Sequence, residues 1–133
     1  MNPTILYQLP PNSHCQMMSY VLQTAEGRLV VIDGGCRPDG EALLRFLEKL
    51  GGPRPTVAAW FLTHAHDDHI GALTELLEHH REEFTVERIL CNLPPLAWTQ
   101  AVESVAAHAN REHGPLLAAA GDKIAAVSAG ERI

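Results

Sequence analysis

The chain has 133 residues, of which 46% are hydrophobic, and its formal net charge is -6 at pH 7. This length suits a single domain with its own core, and the hydrophobic fraction excludes the polar composition of a disordered chain. The charges include no basic block, which argues against a protein that tracks nucleic-acid phosphates with lysine and arginine. We therefore expect one folded domain, over residues 1–133, with one site.

No secretory leader and no membrane span is predicted. Residues 1–11 lack a basic segment followed by an apolar one, and no stretch reaches the ~20 apolar residues that cross a bilayer. Cys15, Cys36 and Cys91 are odd in number and have no paired spacing. This pattern argues against a disulfide framework and favours small buried side chains in a reducing compartment. The sequence thus predicts a cytoplasmic protein without membrane contact.

An N-terminal meander of β-strands comes first in the predicted order. Ile5–Gln8 is a short strand that two prolines stop, and Met17–Gln23 pairs with Leu29–Ile32 in a hairpin around Gly27. The run Leu29–Ile32 lacks alternation, so both of its faces are expected to be buried. It ends at Asp33-Gly34-Gly35, where the backbone can turn sharply.

Helices and strands alternate after residue 29. The predicted elements are a helix over Pro38–Leu50, a strand over Val57–Leu62, a helix over Ile70–His80, a strand over Val86–Cys91 and a helix over Leu96–Glu112 that ends at Gly114-Pro115. This alternation is typical of an α/β fold in which helices cover a sheet.

Four side chains of the kinds that bind metals lie within six residues after the strand Val57–Leu62. His64 and His66 are two residues apart on an extended segment, so both imidazoles project to one side and can hold one cation. Asp68 lies on the same side, and His69 begins the next helix, so both can address a second cation. Core packing would leave the polar atoms of such a cluster unsatisfied. The spacing therefore predicts two adjacent metal positions.

Two segments resemble a known family. The run Thr63-His64-Ala65-His66-Asp67-Asp68-His69-Ile70-Gly71 resembles the signature of the metallo-β-lactamase superfamily, and Val31-Ile32-Asp33-Gly34-Gly35 resembles its earlier strand with an aspartate. The resemblance covers about residues 17 to 92. It implies the N-terminal half of an αββα sandwich, which is an α/β fold with a mixed β-sheet and flanking helices.

The same resemblance implies a role for each residue of the motifs. His64 and His66 would bind the first of two divalent ions, Asp68 and His69 the second, and Asp33 would accept hydrogen bonds that orient the histidines. The ions would be zinc, with manganese or iron as alternatives. A hydroxide held between them would attack an ester, phosphodiester, thioester or amide, and Asp68, as the candidate catalytic residue, would help to orient it.

The later ligands of the family have no clear counterpart here. His113 and Asp122 resemble its later motifs, but their separation is too short, and a helix C-terminal histidine and a turn suit them better. Gly71 either lets the backbone pass close to the site or gives slack where the helix begins. His14 is interpreted as a loop residue, and Trp60 as a core residue. The helix residues His79, His80 and His108 are interpreted as solvated.

The segment Gly130-Glu131-Arg132-Ile133 resembles a turn and the first residues of a strand, so the chain is predicted to be truncated at its C-terminus. A lone half of the sandwich would expose the inner face of its sheet. A second copy of the chain is the expected cover, which gives a two-fold homodimer.

Two functions stay open. The first is a metal-dependent hydrolase of a small-molecule or phosphodiester substrate. The order of elements and the closing Gly-Glu-Arg-Ile resemble the superfamily branch related to DNA-uptake competence proteins, which suggests a nucleic-acid substrate. The second is a noncatalytic metal-binding or assembly module that kept four ligands and lost the rest. True β-lactamase activity is disfavoured, because such enzymes are usually exported and no signal peptide is predicted.

Overall fold

The computed structural model describes residues 2–101 and 109–132 of the chain. The strands are β1 (Ile5–Gln8), β2 (Ser19–Gln23), β3 (Leu29–Asp33), β4 (Thr56–Leu62), β5 (Thr85–Val86), β6 (Ile89–Cys91) and β7 (Ile124–Ala126). The helices are α1 (Gly40–Gly51), α2 (Asp67–His79), α3 (Leu96–Gln100) and α4 (His113–Ala120). Short 3₁₀ turns lie at Arg37–Asp39 and Gly121–Lys123.

Within the described residues, seven strands form one mixed sheet in the order β1-β2-β3-β4-β6-β7, with β5 also paired to β4. The first three strands pair antiparallel, with a ten-residue loop between β1 and β2 and a short turn between β2 and β3. From β3 onward the strands are parallel, because the crossovers through α1 and α2 return the chain to the same end of the sheet. The predicted α/β fold with a mixed sheet and flanking helices is confirmed.

The core lies between the helices and one face of the sheet. Leu43, Leu44 and Leu47 recur at helical spacing on α1 and are buried. They meet the fully buried Trp60 of β4 in the same cluster. In the described parts of the chain, none of the helices has the length and apolarity needed to cross a membrane.

The other face of the sheet is more open. Val30 and Ile32 of β3, Leu22 of β2 and Phe61 of β4 are partly exposed and lie outside the core cluster. The alternation along each strand points these side chains away from the helices. The expectation that both faces of Leu29–Ile32 are buried is therefore wrong. The homodimer that would cover this face stays a prediction.

Two predicted boundaries shift for local reasons. The second helix begins at Asp67 rather than Ile70, since Asp67 and Asp68 occupy its first turn, where carboxylates interact favourably with the positive end of the helix dipole. The strand predicted over Val86–Cys91 is interrupted between β5 and β6. The interruption lies beside a register shift in β4, where Ala58 has no partner on β3.

The C-terminal third departs most from the prediction. The helix predicted over Leu96–Glu112 is not continuous, because α3 ends at Gln100 and residues 110–112 form a turn; residues 102–108, with His108, lie outside the described residues. Gly114-Pro115 does not stop a helix but lies in the first turn of α4. The backbone N–H groups of a first turn have no partner within the helix, so proline, which lacks this group, is tolerated there. Strand β7 was not predicted, and the described residues after Gly130 form no strand.

Cys15 and Cys36 form a disulfide, with their Cα atoms 6.4 Å apart. This Cα separation lies within the range that a disulfide spans. Cys91 is free and buried, as predicted. The prediction that Cys15 and Cys36 are unpaired buried side chains is wrong, and the reducing compartment inferred from it loses that support. Their spacing gives no sign of the pair, because the loop before β2 meets the loop after β3 only in the folded chain.

Candidate metal centre

The candidate site lies at the ends of two neighbouring strands. Strands β3 and β4 are parallel, so their carboxyl ends meet at one edge of the sheet. Strand β3 ends at Asp33, and β4 ends at Leu62 directly before the histidine-rich loop. The topology thus brings together two segments that are about thirty residues apart in the sequence.

Asp33 is held in a conformation that few side chains adopt. Its φ of 58° lies in the left-handed region, which aspartate tolerates better than most residues. Nε1 of Trp60 donates to the Asp33 carbonyl at 2.7 Å, and the backbone N–H of Gly34 donates to the Met18 carbonyl at 3.1 Å. Trp60 is fully buried, so it is a core residue, as predicted. These bonds fix the turn that carries the Asp33 carboxylate.

The Asp33 carboxylate, in a residue only 2% exposed, faces the histidine-rich loop. Its Oδ2 atom lies 2.9 Å from Nδ1 of His69. Its Oδ1 atom accepts a hydrogen bond from the backbone N–H of Thr63 at 2.9 Å, and the Thr63 hydroxyl lies within 3.1 Å of both carboxylate oxygens. The carboxylate therefore orients the His69 ring and the start of the loop.

Three imidazoles and one carboxylate come together next to Asp33. The ring centroids of His64 and His66 are 4.6 Å apart, and those of His64 and His69 are 3.8 Å apart. Oδ2 of Asp68 lies 3.6 Å from Nε2 of His69. Asp68 reaches this place from the first turn of α2, and not along an extended strand as the spacing had suggested.

The chemistry of this donor set fits a divalent cation, since imidazoles and carboxylates are the ligands of zinc and related metals. The bond from His69 Nδ1 to Asp33 leaves Nε2 of the ring for a cation, as in many metal sites. Within residues 2–101 and 109–132, no group of three or more His, Cys, Asp or Glu side chains stands in a ligand arrangement. The fit is therefore one of donor type and, for His69 alone, of ring orientation.

Burial lowers the pKa of His64 below its ordinary value, and the neighbouring His69 and His66 lower it further. Asp33 and Asp68 act in the opposite direction, to a smaller extent. Neutral imidazole is the form that binds metal ions. The environment of His64 thus favours its ligating form.

A cavity of about 480 Å³ opens beside Asp68. The Cys15–Cys36 disulfide lines it together with Asp67 and Arg111. Its volume falls in the range of small-molecule sites. A small molecule, or the exposed end of a larger one, can therefore reach Asp68.

Asp67 and Arg37, which the sequence reasoning gave no role, hold the walls of this cavity. The Asp67 carboxylate accepts the backbone N–H of Glu112 at 3.0 Å. Arg37 forms ion pairs with Glu112 at 2.8 Å and with Glu78 at 2.7 Å. The hydrogen bonds that the Arg37 guanidinium donates to Glu112 and Glu78 raise its pKa. Asp67 could have been found from its place in the motif, whereas no signal marked Arg37.

Asp39 is a second residue that the sequence reasoning missed. It is fully buried, and its carboxylate accepts hydrogen bonds from the N–H of Asn12 at 2.9 Å and the hydroxyl of Ser13 at 3.0 Å. The N–H of Cys36 donates to it at 3.1 Å. Asp39 thus fastens the loop before β2 to the turn after β3, beside the disulfide.

Gly71 allows the backbone of α2 to lie against the turn after β3. A Cβ atom at Gly71 would lie 2.7 Å from the backbone nitrogen of Arg37.

We expect Gly71→Ala to lower the free energy of unfolding by about 1–3 kcal/mol, because the backbone must move to admit the methyl group. Urea denaturation measures this change. Gly114→Ala is the control, since its Cβ would meet only Leu96 at 3.9 Å, and equal losses in both variants would contradict the close-approach role.

The other candidates, His113, His14 and Asp122, are accounted for by local contacts or by exposure at the surface. His113 is buried at the start of α4, not at a helix C-terminus as expected, and its Nδ1 lies 2.9 Å from the Thr99 hydroxyl. Burial lowers the pKa of His113. His14 is exposed, and Asp122 lies exposed in a 3₁₀ turn.

The family model of the metallo-beta-lactamase superfamily matches residues 14–106. This range covers more than half of the chain and contains both Asp33 and the histidine-rich motif. The chain therefore belongs to the metallo-beta-lactamase superfamily, whose members are mostly metal-dependent hydrolases. No curated protein matches the chain in sequence.

Proposed function

We propose that this protein is a metal-dependent hydrolase. His64 and His66 would hold one divalent ion, and Asp68 and His69 would hold a second, with zinc as the expected metal and manganese or iron as alternatives. One observation carries the proposal: a buried carboxylate, Asp33, backs three clustered imidazoles at the edge where β3 and β4 end. The superfamily to which the chain belongs supports the same function.

A divalent cation in such a site lowers the pKa of bound water to about 7 and stabilises developing negative charge. The residues of the chain do the positioning. The histidines supply neutral nitrogen donors, and Asp33 fixes the His69 ring through Nδ1. Asp68 lies both beside His69 Nε2 and on the wall of the cavity, so it would be placed to orient an attacking water toward a substrate in the cavity.

The proposed substrate is an ester or a phosphodiester. The cavity of about 480 Å³ admits a small molecule or the end of a nucleic-acid strand beside Asp68. The chain carries a net charge of -6, so an anionic phosphodiester would be held at the cations and not on a basic protein surface. The resemblance to the branch of DNA-uptake competence proteins supports the phosphodiester.

Metal removal and reloading test the hydrolase. We expect protein stripped with a chelator to be inactive toward a nitrophenyl ester and a bis-nitrophenyl phosphodiester. Adding back Zn²⁺, Mn²⁺ or Fe²⁺ should restore the release of nitrophenol, followed by absorbance. Hydrolysis that persists unchanged in the chelated protein would show that the reaction does not depend on a metal.

The noncatalytic metal-binding module is the second candidate. The finding that favours it is that the clustered donors among the described residues do not stand in a ligand arrangement, which favours weak binding of a metal ion. Metal stoichiometry separates the two functions. Two tightly bound ions with turnover support the hydrolase, whereas one weakly bound ion without turnover supports the module.

A further inference from the structure

The hydroxyl of Thr63 stands between Asp33 and His64. Its Oγ1 atom lies 2.9 Å from Oδ2 and 3.1 Å from Oδ1 of Asp33. The same oxygen lies 3.0 Å from Nδ1 of His64, the next residue along the chain. One hydroxyl thus contacts a carboxylate on one side and an imidazole on the other.

The positions of the hydrogen atoms follow from what each group can donate. A carboxylate only accepts hydrogen bonds, so the single proton of the Thr63 hydroxyl must point at Asp33. The Thr63 oxygen then faces His64 with a lone pair, and Nδ1 of His64 must carry the proton between them. If the hydroxyl donated to His64 instead, its bare oxygen would face two carboxylate oxygens within 3.1 Å.

We infer that Thr63 is a positioning residue, through which Asp33 orients the His64 ring as well as the His69 ring. Nδ1 of His69 donates directly to Asp33 at 2.9 Å, and Nδ1 of His64 donates to it through the Thr63 hydroxyl. One buried carboxylate therefore sets the same tautomer in two imidazoles, protonated at Nδ1 and bare at Nε2. The inference rests on the proposed function in one respect only: the shared tautomer would serve to present both Nε2 atoms to the metal ions.

Nuclear magnetic resonance of ¹⁵N-labelled imidazoles tests the tautomer directly in the metal-free protein, at a pH where the ¹⁵N chemical shifts themselves show neutral rings. We expect His64 and His69 to be protonated at Nδ1. In Thr63→Val, which keeps the branched shape but lacks the hydroxyl, His64 should shift toward the Nε2-protonated tautomer while His69 stays unchanged. The backbone N–H of Thr63, which also donates to Asp33, is kept in this variant.

Thr63→Ser is the matched control, because it restores the hydroxyl without the methyl group. We expect its His64 tautomer to match the wild-type protein. Zn²⁺ titration by calorimetry should show an affinity about 10-fold weaker for Thr63→Val, as for other residues that orient a ligand, and little change for Thr63→Ser. A His64 ring that is protonated at Nε2 in the wild-type protein, or that does not respond to Thr63→Val, would overturn the inference.

The two proposals fail in different ways. If the tautomers behave as expected but Zn²⁺ does not bind, the hydrolase proposal is wrong and the positioning role of Thr63 stands. If Zn²⁺ binds and hydrolysis follows, but the His64 tautomer does not change in Thr63→Val, the positioning role of Thr63 is wrong and the hydrolase proposal stands.

Discussion

Replacing His66 by alanine should lower the rate of hydrolysis by more than about 100-fold, because removing residues that merely orient a ligand already costs 10–100-fold. The fold should persist, since the His66 ring is partly exposed in the loop before α2 and lies outside the core cluster. Initial rates with saturating Zn²⁺ measure the loss, and circular dichroism with thermal melting checks the fold.

His79→Ala is the matched control for this change. It removes the same kind of side chain from the end of α2, where the His79 ring is 61% exposed and its charged neighbour is Glu78 at 3.8 Å. We expect its rate to equal that of the wild-type protein. Wild-type turnover in a folded His66→Ala protein would remove His66 from the proposed ligand set.

Loss of the disulfide should have the largest effect on stability. We expect Cys15→Ser to lower the free energy of unfolding by about 3 kcal/mol, because the Cys15–Cys36 bond closes a loop across a sequence separation of 21 residues. The bond also joins two segments on the wall of the cavity beside Asp68. Urea denaturation in buffer without reductant measures the change.

A reductant provides the internal control for the disulfide. Dithiothreitol should lower the stability of the wild-type protein to that of Cys15→Ser and leave the variant unchanged. Alkylation of the unfolded, unreduced protein followed by mass spectrometry should label Cys91 alone. Labelling of all three cysteines would show that the bond does not form.

The elements up to α2 could be predicted because each has a strong local pattern. Apolar residues at helical spacing define α1, and Gly27 and the glycines after Asp33 mark the turns. The parallel direction of the central strands could be inferred as well, since helical crossovers join them. Periodicity could not show the local bulge at Ala58, which comes from pairing between strands.

The region after residue 92 gave weaker signals. Helix α4 is rich in alanine and has little contrast between its faces, so the sequence gives no sign that Gly114-Pro115 belongs to the first turn of a helix and does not stop one. Strand β7 has only three residues, two of them alanine, and it is held by parallel pairing with β6. Its existence depends on a neighbour distant in sequence, which a local pattern cannot show.

The candidate site likewise has a part that could be predicted from the sequence and a part that could not. The histidine cluster could be found because its members are close together in the sequence. The contacts that organise it are nonlocal: the Thr63 hydroxyl reaches Asp33 only because β3 and β4 are aligned in parallel. Asp39 and the Cys15–Cys36 pair likewise join loops on either side of the β2–β3 hairpin. Such pairs follow from the topology and not from the residue order.

The left-handed backbone at residue 33 restricts which amino acid can stand there. Glycine and asparagine accept its φ of 58°, but glycine offers no acceptor, and the amide nitrogen of asparagine would turn a donor toward Thr63 or His69. Glutamate offers a carboxylate but is not among the side chains that tolerate this conformation. The backbone alone would admit three residue types and the hydrogen bonds alone would admit two, and aspartate is where the two sets overlap.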